Sequence, residues 1–172
     1  MITEQHLAAA TMAGEAVAHA AWSISDVAEG ELLCVLAMVD RAAPPRELYR
    51  FEADTQETAI SDAKAEMAIV RGQTDVRSYG MVREGVLVVG PSRNDALTFD
   101  AWATGLSGPI SGWHRFTPAW SPTGFTVLGD PGFAIDGKAV AGDELARLCT
   151  AFREGVSRHL KAGALWLTWQ RP

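Results

Sequence analysis

Residues 76–128 read VRSYGMVREGVLVVGPSRNDALTFDAWATGLSGPISGWHRFTPAWSPTGFTVL. Runs rich in Val, Leu, Phe and Trp are interrupted there by Gly90-Pro91-Ser92, by the glycine-containing loop 105–112, by Pro118 and by Pro122-Thr123-Gly124. β-branched and aromatic runs bounded by turn residues are strand signals. They predict strands at 76–83, 85–89, 96–104, 113–120 and 124–128. Consecutive strands joined by such short turns pair antiparallel, because a parallel pair needs a crossover of a dozen residues or more. This stretch decides the fold class.

Upstream, the run 32–39 (LLCVLAMV) is apolar on both parities, which fits a strand buried on both faces. After the loop Ala42-Ala43-Pro44-Pro45, residues 47–53 alternate, with Tyr49, Phe51 and Ala53 inward and Leu48, Arg50 and Glu52 outward. The two runs predict a hairpin. Thr3 is placed to cap a first helix over about 3–21, whose apolar stripe of Leu7, Ala10, Gly14, Val17 and Ala21 is built mainly from small residues. Such a stripe lets whatever packs on it come close. Asp54, with Glu57 three residues on, matches a capping box for a second helix that ends at Gly72 and buries Ile60, Ala63, Met67 and Val70. A third helix over about 143–160 has the strongest amphipathic stripe: Leu145, Leu148, Cys149, Phe152, Val156 and Leu160. Residues 165–169 (LWLTW) read as one more edge strand.

With 172 residues the chain is one domain long, and 48% apolar with 21% charged is an ordinary globular balance. The expected fold is therefore a single α+β domain over 1–172, with a mostly antiparallel sheet of five to seven strands and helices chiefly on one face. Strands do not alternate regularly with helices, which argues against a parallel nucleotide-binding sheet.

The net charge is −6, and its distribution is uneven. Residues 1–86 hold 7 basic and 14 acidic side chains, while 87–172 hold 8 and 7. No stretch is basic enough to track a phosphate backbone, so no nucleic-acid partner is expected. The N-terminus lacks the cationic opening of a secretory signal, and Thr11, Gly14, Glu15 and His19 interrupt the only long apolar segment near it. We expect a small soluble cytoplasmic protein without a membrane partner. Cys34 and Cys149 sit in apolar patterns and read as buried structural thiols.

Catalytic signals are sparse. The loop 105–112 lacks the Lys-Ser/Thr ending of a phosphate-binding loop and the spacing of a dinucleotide fingerprint, and it reads as a strand connection. No Gly-x-Ser-x-Gly elbow is present. His6 and His19, thirteen residues apart on one helix, stand about 20 Å from each other and cannot share an ion. His114 and His159 have the separation to meet in space near Asp100, though nothing local brings them together. Asp130-Pro131-Gly132 and Asp136-Gly137 read as turns. Neither a metal nor a cofactor is expected.

The six tryptophans stand out, with Trp102, Trp113 and Trp120 inside nineteen positions. Alternation puts Leu97, Phe99, Ala101 and Ala103 on one face of their strand and Thr98, Asp100 and Trp102 on the other. On the next strand His114 and Phe116 share one face, and Trp113, Arg115 and Thr117 the opposite one. Indoles among charges resemble a binding surface. The expected function is a non-enzymatic interaction protein that forms a homo-oligomer or a complex with a protein partner through this face, with Asp100, Trp102, Trp113, His114 and Arg115 as candidate binding residues. The alternative is a small-ligand-binding protein or enzyme with a pocket between sheet and helices, using His114, Asp100 or Arg115.

Overall fold

A computed structural model describes residues 1–172. Its elements run α1 (Glu4–Ile24), β1 (Val35–Arg41), β2 (Glu47–Phe51), α2 (Gln56–Arg71), β3 (Val76–Val89), β4 (Ser92–Ala103), β5 (Ile110–Thr117), β6 (Thr126–Ile135), β7 (Lys138–Ala139), α3 (Gly142–Arg158), α4 (Leu160–Trp169) and β8 (Gln170–Arg171). The strands form one sheet in the order β2-β1-β3-β4-β5-β6-β7, antiparallel throughout, with the short β8 added parallel to β6. The expected α+β single domain is what the chain adopts. No helix is long and apolar enough to cross a membrane.

Two cores lie on opposite faces of this sheet. The larger is built from α1, α3 and α4 against Val82, Leu97, Phe99, Ile110, Phe116, Val127 and Phe133. The smaller is α2, through Ala59, Ala63, Met67 and Val70, against Val35, Ala37, Val39, Val76, Tyr79, Met81 and Trp102. β1 therefore serves both cores: Leu36 points one way, Val35 and Ala37 the other. Three helices on one face and one on the other match the expected bias.

The small-residue stripe of α1 proves to be a helix-packing surface. Gly14 lies so close to α3 that a Cβ there would collide with the Phe152 carbonyl, and Gly155 approaches the Thr11 carbonyl in the same way. Each helix thus presents a glycine where the other's backbone passes.

Several local expectations are corrected. The cap of α2 is Thr55, not Asp54: its hydroxyl accepts from the Thr58 N–H at 3.1 Å. Residues 76–89 form one strand, because Glu84 and Gly85 stay paired with Leu97 and Ala96. Asp130-Pro131-Gly132 is not a turn but the middle of β6, at a register shift opposite Trp113 and Arg115. Asp136-Gly137 is a true hairpin turn, with positive φ at both residues (51° and 74°). Residues 165–169 are helical, not a strand. The pattern that wins is Ala162, Trp166 and Trp169, spaced for one helix face and packed inward. The His159 ring caps this α4 by accepting from the Ala162 N–H at 3.0 Å. Leu160 consequently leaves the α3 stripe and is 91% exposed. Cys149 is buried as expected, whereas Cys34 precedes β1 and is only half-buried.

Candidate sheet-face binding site

α2 packs on β1, β2 and β3 and covers β4 only around Trp102, so on its side of the sheet β5, β6 and the rest of β4 are left without a helix. Alternation then presents Thr98, Trp113, Arg115, Thr117 and Leu128 on that face, all half-buried. The expected site residues divide around this boundary.

Trp113 and Arg115 are on the open face. Trp113 pairs across the ladder with Gly132, and its indole packs so close to that residue that any Cβ there would overlap the ring. The missing Cβ at Gly132 makes room for the half-buried indole. The Arg115 guanidinium lies against Gly129, close to where a Cβ would stand at 3.3 Å. No ion pair of the chain includes Arg115.

Asp100 also points to this side, at the edge of the area covered by α2. It accepts from the Arg83 Nη1 at 2.9 Å, and both side chains are 18% exposed. Arg83 was not among the residues expected in the site. Its signal was present: a lone carboxylate on a half-covered strand needs a cation within reach, and Arg83 sits diagonally across the β3–β4 ladder. Asp100 further lines a cavity of about 280 Å³ with Lys64, Met67, Arg71, Tyr79 and Pro109.

Trp102 and His114 are corrections. Trp102 is 6% exposed, beneath α2; its ring stacks on Tyr79 with centroids 6.0 Å apart, and its Nε1–H donates to the Leu106 carbonyl at 2.8 Å. It is a core residue of the second layer, not part of an exposed surface. His114 is 2% exposed and faces the opposite, helix-covered side, between Phe152 and Trp166. Its Nδ1–H donates to the Arg115 carbonyl at 3.1 Å, and burial pushes its pKa down to about 4. A neutral imidazole fixed in this way is packing.

His159 does not meet His114. It meets His19, with Nδ1 of His19 and Nε2 of His159 3.1 Å apart. Since His159 Nδ1 accepts from the α4 backbone, Nε2 carries the proton and donates to His19. No group of three or more His, Cys, Asp or Glu side chains converges anywhere in the chain. Burial pushes the Cys149 thiol up, away from the thiolate a nucleophile needs.

The resulting surface can do recognition chemistry: a flat aromatic plane, one free guanidinium, one internally compensated ion pair and hydroxyls. Compared with known proteins, the chain matches no protein family, no curated protein and no solved structure.

Proposed function

We propose that this protein is a non-enzymatic binding protein that associates through the open face of β4–β6 around Trp113 and Arg115, and that the occupant of this face is a second copy of the same chain. The observation that supports this reading is the Trp113–Gly132 contact: an indole packed over a glycine and only half-buried on a sheet face without a helix. Trp and Arg are the residues most enriched where association energy concentrates.

The charge of this face is compatible with self-association. Arg83 and Asp100 compensate each other and Arg115 adds a single positive charge, whereas the chain as a whole is at −6. A patch near neutrality adds little like-charge repulsion of its own to that between two chains of the same net sign. Both signs on one patch also allow a two-fold pair to match opposite charges. Three strands at ~4.8 Å and seven residues of β5 at ~3.4 Å give a footprint of about 340 Å². That is below the ~800 Å² per partner of a standard interface, so the dimer belongs to the weak, concentration-dependent class.

The test compares two tryptophans by sedimentation and thermal melting together. Trp113→Ala is expected to weaken the dimer by about thirtyfold, the effect of ~2 kcal/mol, while leaving the melting transition nearly in place. Trp102→Ala is expected to lower stability by about 3–5 kcal/mol, because it empties a packed core. A wild-type chain that stays monomeric up to about 1 mM, where even a Kd equivalent to only ~4 kcal/mol would show, overturns the reading.

A further inference from the structure

β1 and β3 lose register at one point. Asp40 pairs with Ser78 but Arg41 pairs with Val76, so Arg77 is an extra residue without a ladder partner. In a regular strand neighbouring side chains point to opposite faces. Here Val76 and Tyr79 both enter the core under α2, and the two residues between them, Arg77 and Ser78, both line a cavity on the α1 side. Thr104 pins the bulge: its N–H and hydroxyl donate to the Arg77 carbonyl, and its hydroxyl also reaches the Val76 carbonyl at 2.9 Å. Bulges that re-aim a side chain are over-represented beside binding and active sites.

The cavity holds about 240 Å³ and brings Arg77 and Ser78 together with Glu15, Asp40, Arg46 and Arg158. Glu15 is 8% exposed, on a helix whose other buried residues are all apolar, mostly alanine. It pairs with Arg46, which also reaches Asp40 at 3.7 Å. Both carboxylates of the cavity are thus directed at one guanidinium. Burial raises the Glu15 pKa, with Arg46 and Arg158 opposing that shift. Arg158 is carried into place by the glycine contact between helices: Gly155 seats α3 on the Thr11 and Glu15 backbone, and Arg158 follows three residues on along the same helix face. Arg77 and Arg158 take part in none of the chain's ion pairs. Three guanidiniums against two carboxylates leave the cavity at +1, within a chain of −6.

We infer that this cavity is a binding site for a small anion, a carboxylate or phosphate group, whose oxygens are taken by Arg77 and Arg158 with Ser78 as a hydroxyl donor. Arg46, held by Glu15 and Asp40, forms the fixed wall. Guanidinium forks match the paired oxygens of carboxylate and phosphate, which is why arginine serves such sites. The volume equals about eight waters at ~30 Å³ each, room enough for inorganic phosphate or a small dicarboxylate.

The experiment titrates inorganic phosphate and succinate separately into the protein at constant ionic strength, read by calorimetry and by the shift in melting temperature. One of the two is expected to bind saturably, one per chain, with half-saturation at or below about 1 mM; which one binds identifies the group. Arg77→Met and Arg158→Met are each expected to weaken it at least tenfold, and Arg77→Lys to weaken it less. Arg147→Met, outside the cavity, is expected to bind as wild type, and so is Trp113→Ala, which separates this site from the sheet-face contact. Ser78→Ala, a smaller change, provides a second test should either methionine variant fold poorly, and a several-fold loss is expected. Absence of saturable binding by both anions overturns the inference, and so does equal binding by wild type and the arginine variants.

Discussion

His114 illustrates how one buried side chain couples this fold to pH. Held neutral between Phe152 and Trp166, it titrates near 4 in the folded chain against 6.5 when exposed. Between those values the unfolded chain binds a proton that the folded chain does not, so stability rises with pH across that window. The contribution is fully present above pH 6.5, is lost as pH falls toward 4, and amounts to on the order of 3 kcal/mol. His19, also pushed down to about 4 by burial and by His159, adds to the same trend. His114→Phe is expected to flatten it: urea midpoints measured at pH 7, 6, 5 and 4.5 should fall less steeply in the variant than in wild type. Parallel curves would show that His114 is not what the acid titrates.

At the scale of elements, the contact between α1 and α3 depends on glycine at both crossing points. A Cβ at Gly155 would enter the space of the Thr11 carbonyl, which belongs to backbone and cannot rotate away. The helices must separate, and forced overpacking of this kind costs about 1–3 kcal/mol or more. For a chain of this length ~1 kcal/mol corresponds to roughly 2–4 °C. Gly155→Ala is therefore expected to lower the melting temperature by several degrees although alanine is the better helix former. A higher melting temperature would mean that the helices have slack at the crossing. Gly72→Ala provides the contrast, because its nearest neighbour is only the Ile69 carbonyl at 3.3 Å.

For the whole molecule, one sheet with a core on each face predicts one cooperative unit. Phe152 is 1% exposed in the larger core and Met67 1% exposed in the smaller, and β1, β3 and β4 contribute side chains to both. Phe152→Ala is expected to cost about 3–5 kcal/mol and Met67→Ala about 2–5 kcal/mol. Each should shift a single transition seen alike by circular dichroism and tryptophan fluorescence. Two separated transitions in the Met67 variant would show that the α2 layer melts independently of the rest.

The class of the fold was legible from sequence alone, because the deciding signals are local. Alternation, helical periodicity and turn residues act within a few positions, so the hairpin of β1 and β2, the stop of α2 at Gly72, the antiparallel succession from β3 to β6 and the stripe of α3 were all legible. The same alternation correctly placed Trp102 and Trp113 on one face of the sheet. Which of them was covered depended on where the connection from β2 to β3 carried α2, and that is settled by packing across the sheet. Periodicity sorts side chains into faces but does not say what lies over a face. The bulge at Arg77, the meeting of His19 with His159 and the convergence of Arg46 and Arg158 on Glu15 belong to the tertiary structure for the same reason. Each joins residues far apart in the chain, and only the closing of helices onto the sheet brings them within reach.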